Sequence, residues 1–377
     1  MNQALPYDTA IAGGGLAGLA AAILYAGAGY RTVLVEKEQY PFHKVCGEFI
    51  SAESRPFLEK LGVPMQALPF IRRLCISDVK GRSYFFRLPA GGYGISRYAL
   101  DEQLYRIALQ KGVVVHTGER VQQVDFNQDR FLLHTSRRQV EASIAIGSFG
   151  KRSNLDVKWH RTFARHKPDK LNHYIAVKYH VRYPQEADLV SLHNFPGGYC
   201  GISRIEDDRC CLCYLTTAHN LAAAGHSVTA LEQTILSQNP HLKHLFQNAH
   251  FLYAQPLVIS QISFHAKEQV WNHVLLAGDA AGLITPLCGN GMSMALHAGK
   301  LAFEAGTRFL EGSISRGQME QLYIQQWQQR FSKRLRTGRM VQKLFGGQHS
   351  TGLFLSCMNV LPSVANYLIR STQGSTF

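Results

Sequence analysis

No run of about 18 uninterrupted apolar residues occurs in the 377-residue chain, so the sequence offers no ready membrane-spanning helix. The N-terminus has no basic n-region, and glycines break up Ala10 to Gly29, which sets aside a signal peptide. The eight cysteines do not form paired Cys-x-x-Cys motifs. Cys210, Cys211 and Cys213 alternate along one predicted strand, so sequence neighbours face opposite ways. A disulfide framework and a zinc site are both unsupported; no metal and a reducing cytoplasm are expected. His160, His166, His173, His180 and His193 are scattered and lack ligand spacing, and are read as surface or capping residues. No Gly-x-Ser-x-Gly elbow is present to support a hydrolase. Low-complexity linkers and internal repeats are also missing.

Acidic residues are scarce: 26 Asp and Glu face 40 Lys and Arg, a formal charge of +14. Such a surface attracts anions, among them nucleotide phosphates, nucleic acid and acidic lipid. Nucleic acid is disfavoured, because no zinc finger, RNA-binding sheet motif or helix-turn-helix accompanies the charge. The cluster Lys333, Arg334, Arg336, Arg339 and Lys343 reads as a solvated helix face.

What is present is α/β. Thr9 to Ala12 reads as a short buried strand, Gly13 to Gly18 as a turn, and the Ala-rich stretch to about Gly27 as a helix. Arg31 to Glu36 is a second strand, so residues 7–36 form one βαβ opening. A helix is predicted over Ser96 to Lys111, with strands at Val113–His116 and Phe131–His134. Tyr174 to Leu215 is mainly strand, Leu221 to Phe246 mainly helix, and Val274 to Ala277 again a buried strand. The chain after Gly291 is helical with breaks. Met319, Leu322, Trp327, Phe331 and Leu335 lie near helical spacing there, and Pro362 should kink or end a helix.

Gly13-Gly14-Gly15-Leu16-Ala17-Gly18 satisfies Gly-x-Gly-x-x-Gly between a strand and a helix. Gly13 makes the tight turn, Gly15 lets backbone approach a pyrophosphate, and Gly18 packs helix on strand. The helix N-terminus offers free N–H groups to phosphate. Glu36, ending the second strand, is placed to accept hydrogen bonds from an adenosine ribose. Asp279 follows the strand Val274–Ala277, where a carboxylate suits the hydroxyls of a ribityl chain. Beyond it Pro286, Gly289, Gly291 and Met292 surround a helix start whose backbone N–H groups favour negative charge on a flavin ring.

These segments, with Arg97 in "SRYALDEQL" and the stretch "GSFGKRS", resemble the p-hydroxybenzoate hydroxylase-type flavoprotein superfamily of aromatic hydroxylases, halogenases and geranylgeranyl reductases. The resemblance implies a Rossmann-like FAD-binding domain, an inserted antiparallel-sheet substrate domain and a C-terminal helical tail. The expected division is 1–70, 96–156 and 269–315 for the FAD domain, 71–95 and 157–268 for the substrate domain, and 316–377 for the tail. It implies FAD held by Gly13, Gly15, Gly18, Glu36, Lys44, Arg97, Asp279, Gly289, Gly291 and Met292, and transient NADPH or NADH. Cys46 and Glu48 in "HKVCGEF", with Pro286, are the candidate catalytic residues; Glu48 reads as a proton donor or a helix cap. Phe149-Gly150 departs from the family's usual Asp-Gly, and the halogenase signature Trp-x-Trp-x-Ile-Pro is missing. The reading favours an NAD(P)H-dependent monooxygenase of a hydrophobic aromatic or polyketide-like molecule, with double-bond reduction of a prenyl or lipid substrate as the alternative. For the tail, packing on the FAD domain is favoured over weak peripheral contact with a membrane.

Overall fold

The computed structural model describes residues 6–165, 173–347 and 350–377; His166 lies outside them. The strands of the first half are β1 (Tyr7–Ala12), β2 (Thr32–Glu36), β3 (Phe49–Ser51), β4 (Phe70–Ser77), β5 (Ser83–Gly94), β6 (Val114–Thr117), β7 (Val121–Asn127), β8 (Arg130–Thr135) and β9 (Gln139–Gly147). Those of the second half are β10 (Tyr174–Arg182), β11 (Leu189–Phe195), β12 (Gly198–Arg204), β13 (Cys210–Thr217), β14 (His250–Phe251), β15 (Leu257–Ile262), β16 (Val270–Trp271) and β17 (Val274–Leu276). They form two sheets. The smaller has the order β16-β17-β9-β1-β2-β6, with β8 added to β9 and β7 to β8. Its β17, β9, β1, β2 and β6 run parallel, which puts the turns after β1 and β17 at one edge. Ligands of open parallel sheets gather at such carboxyl ends.

The larger sheet runs β14-β10-β13-β12-β11-β4-β5-β3, with β15 on β10. Two features differ from the expected antiparallel insert. β11 pairs with β4 in parallel, because residues 97–182 intervene between β5 and β11 and bring the chain back in the same direction. β3 lies within 1–70 yet pairs with β5 in this sheet, so residues 1–70, expected to belong to one domain, contribute strands to both sheets.

Helices α1 (Leu16–Gly27), α2 (Arg55–Leu61), α3 (Arg97–Gln110) and α4 (Asn154–Lys158) belong to the first half. α5 (Ala218–Ala223), α6 (Val228–Thr234) and α7 (Pro240–Asn248) follow β13, and α8 (Gly291–Leu310), α9 (Arg316–Gln342), α10 (Ser350–Val360) and α11 (Pro362–Thr372) complete the chain. α1 is buried around nearly its whole circumference, as its Leu- and Ala-rich sequence requires, and packs against α3 and α8. α3 starts where the Ser96 side chain accepts the Ala99 amide.

The expected tail packing holds for α9, whose Met319, Tyr323, Trp327, Phe331 and Leu335 form one buried stripe at four-residue steps. The Tyr323 hydroxyl donates to the Leu276 carbonyl and ties that stripe to β17. Pro362 stands at the start of α11, which turns 109° from α10. Among the described residues no single helix is long and apolar enough to cross a membrane.

Among the described residues three histidines, His180, His193 and His297, are buried. His193 is pushed down to about 3 by burial and then by the His241 charge. His297 is pushed down to about 3 by burial and then by Arg334, Lys300 and Arg330. A folded-state pKa below the ordinary 6.5 means that the unfolded chain takes up protons first. Stability is therefore complete above about pH 6.5 and lost as pH falls toward 3, at up to about 1.4 kcal/mol per pH unit per histidine. Urea midpoints should fall between pH 6.5 and 5, and His297→Gln should flatten that slope. An unchanged slope in a folded variant would remove His297 from the effect.

Candidate active site

One cavity of about 1160 Å3 runs along the seam of the two sheets. It begins at Gly13, Gly15 and Glu36, passes Lys44, Cys46, Arg97 and Asp279, and reaches Pro286 to Met292. Its size exceeds the roughly 300–1,000 Å3 of ordinary small-molecule pockets and leaves room for a second ligand beside a cofactor.

The glycine-rich turn fits a dinucleotide. Gly13 has φ 106°, and a Cβ there would lie 2.6 Å from the Ser148 carbonyl oxygen. A Cβ on Gly18 would lie 2.1 Å from the Gly13 oxygen, so the first and third glycines are fixed by protein backbone. Gly15 differs. The nearest groups to its Cβ would be Arg97 Nη2 and Lys44 Nζ, both at 3.7 Å. Backbone N–H groups at the start of α1 and two cations thus face one gap, the chemistry a pyrophosphate requires.

The cations are held by Asp101. Arg97 donates to it through Nε and Nη2, each at 2.7 Å, and Lys44 Nζ lies 3.0 Å away. Burial pushes the Asp101 carboxyl up, but Arg97 and Lys44 outweigh it and hold it below the usual range. Glu36 accepts the Gly14 amide at 2.7 Å and the Glu38 amide at 3.1 Å, one on each oxygen. Each oxygen keeps a lone pair for a ribose hydroxyl.

Asp279 lies on the cavity wall in the turn Gly278–Ala280 after β17, near enough to Arg97 to favour its charged form. Its carbonyl accepts the buried Lys267 ammonium, which also bonds the Lys151 carbonyl and so ties the stretch after β9 to the turn after β17. Pro286 opens the next turn, Gly289 takes φ 61°, and Gly291 starts α8. Two further features surround this ring loop. Asn290 Nδ2 donates to the Thr372 carbonyl, so the end of α11 closes over it. The Tyr199 hydroxyl, next to the Leu287 backbone, is buried on the cavity wall without a well-formed hydrogen bond.

Beneath the segment 43–48 lies a network that sequence reading did not assemble. Glu48 is fully buried at φ 54°. It accepts from Lys178 Nζ, from His180 Nε2 at 2.6 Å and from the Arg97 amide at 2.8 Å. The carboxylate therefore caps α3, and it is a fixed anion. Burial pushes it up, but the hydrogen bond from His180 and the Lys178 charge win and hold it below the usual range. Lys178 also donates to the Lys44 carbonyl at 3.1 Å, and Cys211 Sγ to the Cys46 carbonyl at 3.3 Å. His180 and His193 are thus interior residues rather than surface ones; His193 bonds Ser77 at 2.9 Å. Alternation would have signalled this: Lys178 and His180 share one face of an otherwise apolar strand, and a buried cation there needs an anion.

Cys46 and Cys288 both line the cavity as free thiols. Burial pushes Cys288 up to about 11, so it stays protonated near neutrality and is a poor nucleophile.

From the ring loop the cavity continues as an apolar chamber. Leu192 and Phe345 pack both against the cluster holding Tyr199 and against the one holding Leu74 and Ile76, so apolar contact is continuous between them. The far wall is Leu74, Ile76, Leu88, Val190, Phe354 and Met358, without an ionisable side chain among them.

Comparison with known proteins agrees with this geometry. Residues 8–44 match the family described as FAD binding domain. The chain is 23% identical over 357 residues to digeranylgeranylglycerophospholipid reductase 2 of Methanopyrus kandleri, across 90% of this chain and 87% of that one. It is 22% identical over 330 residues to conditioned medium factor receptor 1 of Dictyostelium discoideum, which covers 78% of this chain but only 62% of that longer protein. In fold it is similar to the flavin-dependent brominase Bmp2, with a TM-score of 0.81, 18% identity and coverage of 98% of this chain and 94% of that one.

Proposed function

We propose that the chain is an FAD-dependent oxidoreductase that reduces a carbon–carbon double bond in a long lipophilic substrate; its fold and the FAD binding domain match over residues 8–44 support the first part of that reading. The observation that carries this reading is the chamber beyond the ring loop: it is apolar, contiguous with the ring-loop wall and free of ionisable groups at its far end. An extended hydrocarbon gains from burial there, whereas the ring hydroxyl of a phenol would lose its hydration at that far wall. The reductase relative spans nearly the whole chain, which supports the same choice.

Bound FAD supplies the redox chemistry, with NADPH or NADH docking transiently as the electron source. Gly13, Gly15, Gly18, Glu36, Lys44, Arg97 and Asp279 hold the dinucleotide, and the start of α8 stabilises negative charge on the ring. Saturating a double bond needs a hydride at one carbon and a proton at the other. Tyr199 places an unpartnered hydroxyl beside the ring loop, and burial, then the neighbouring Cys288, raises its pKa well above the ordinary 10 so that it carries its proton. Its hydroxyl can donate to the substrate carbon while the apolar walls exclude water from the hydride transfer, and solvent entering as the product leaves returns a proton to the phenolate.

Oxygenation, the reading the sequence favours, is the second reading, supported by the likeness in fold to a flavin-dependent brominase. One experiment separates the two. Anaerobic, prereduced protein is mixed with a polyunsaturated prenyl lipid. Reoxidation of the flavin with a product two mass units heavier is expected, and Tyr199→Phe should slow it roughly 100-fold or more with FAD content unchanged. Reoxidation only after oxygen is admitted, with oxygen appearing in the product, would favour the monooxygenase instead.

A further inference from the structure

The last two helices carry large apolar side chains both toward the cavity and toward the outside. Inward, Phe354, Met358, Leu368 and Ile369 line the cavity. Outward, Leu353, Cys357 and Val360 recur at helical spacing along α10, and Leu361, Val364 and Tyr367 continue onto α11. These are strongly exposed, with Leu353 at 69%, Val360 at 75% and Tyr367 at 62%. Asn359, Ser363, Asn366 and Arg370 are exposed among them, but large apolar side chains this exposed form a patch that calls for a partner, and none of the described residues covers it.

Charge identifies the neighbour. After Glu320 the chain contains no Asp or Glu through Phe377, while Arg330, Lys333, Arg334, Arg336, Arg339, Lys343 and Arg370 carry positive charge. Arg334 is consumed internally by Glu53, 3.0 Å away. Lys333 and Arg336 are exposed along α9 and Lys343 just past its end, beside exposed Met340, and Lys333 Nζ sits 5.9 Å from the Tyr367 ring centre. The basic edge of α9 therefore adjoins the apolar face of α11. A second copy of the chain, docked through this face by two-fold symmetry, would set cations against cations. An anionic bilayer offers acyl chains for the apolar face and lipid phosphates for the basic edge.

We propose that α10 and α11, flanked by the basic edge of α9, form a docking surface for an anionic lipid membrane. Docking places the cavity about one helix diameter, roughly 10–12 Å, from the lipid. The bend of 109° at Pro362 suits two short helices lying in an interface rather than one crossing it.

The test is co-sedimentation of FAD-loaded full-length protein with vesicles of phosphatidylcholine, with and without 30% phosphatidylglycerol. Binding to the anionic vesicles should exceed binding to the neutral ones at least tenfold and weaken with added salt. The neutral triple substitution Val360→Ser, Val364→Ser, Tyr367→Ser should lower anionic-vesicle binding at least tenfold with flavin content intact. Equal binding by that variant would reduce the effect to diffuse attraction by net charge and overturn the proposal, as would no vesicle binding at all. A concentration-dependent dimer that the triple substitution abolishes would show that a second copy covers the face, again overturning it. The vesicle measurement needs no turnover, so it stands apart from the fate of the reductase reading.

Discussion

Lys178→Met should destabilise the protein by about 3–5 kcal/mol, the cost of leaving a buried carboxylate without its cation. Lys178 and Glu48 are both fully buried and bonded to each other. The loss is a large share of the roughly 5–15 kcal/mol that holds a typical domain together. Met fills the space but provides no donor, so Glu48 keeps only His180 and the Arg97 amide. The double variant Lys178→Met, Glu48→Gln should recover much of the loss, because the amide oxygen still accepts the Arg97 amide, its NH2 can donate to Nε2 of a neutral His180, and no charge is stranded. Urea unfolding of all three proteins reads the effect. A single variant as stable as the wild type would mean that the pair is not formed. FAD affinity should fall with the single variant too, since Lys178 also fixes the backbone of Lys44, whose ammonium faces the Gly15 gap.

Gly15→Ala should lower FAD affinity at least 100-fold while leaving the FAD-free protein nearly as stable as before. The added methyl would meet only Arg97 and Lys44 at 3.7 Å, ordinary contact distance, but would stand where the pyrophosphate must approach. A hundredfold loss corresponds to about 2.7 kcal/mol of binding. Gly18→Ala is the contrasting case. Its methyl would fall 2.1 Å from the Gly13 carbonyl oxygen and 2.5 Å from Ser148 Oγ, so backbone must shift and the protein itself should lose about 1–3 kcal/mol. Thermal unfolding of the FAD-free proteins and FAD titration separate the two effects. If Gly15→Ala binds FAD normally, the pyrophosphate does not lie over that turn.

The parts of this fold legible in sequence are those whose signals are local. The strand, glycine turn and helix of residues 7–27 declare themselves because every element is specified by its own neighbours. α3 is marked by Ser96 and a helical stripe of leucines, and the stripe on α9 likewise gives its buried face. What was not legible depends on residues far apart. β7 is hard to read from sequence because its apolar Val121, Val124 and Phe126 break the two-residue step at Gln122-Gln123. The parallel pairing of β11 with β4 joins segments more than a hundred residues apart, for which no local pattern exists. Glu48 looked equally like a cap and a proton donor until Lys178 and His180, about 130 residues away, were seen to converge on it. The chamber beyond the ring loop is likewise built from β4, β5, β11 and α10, whose apolar residues would read individually as ordinary core.

If the seam between the two sheets holds FAD, its pyrophosphate would lie at Gly15 and its ring at the start of α8. Titration of the FAD-free chain with FAD, followed by the visible spectrum and by quenching of flavin fluorescence, decides this. The expected result is saturation at one FAD per chain, with the oxidised-flavin absorption shifted by the ring loop. A folded chain that shows no saturable FAD binding would contradict it.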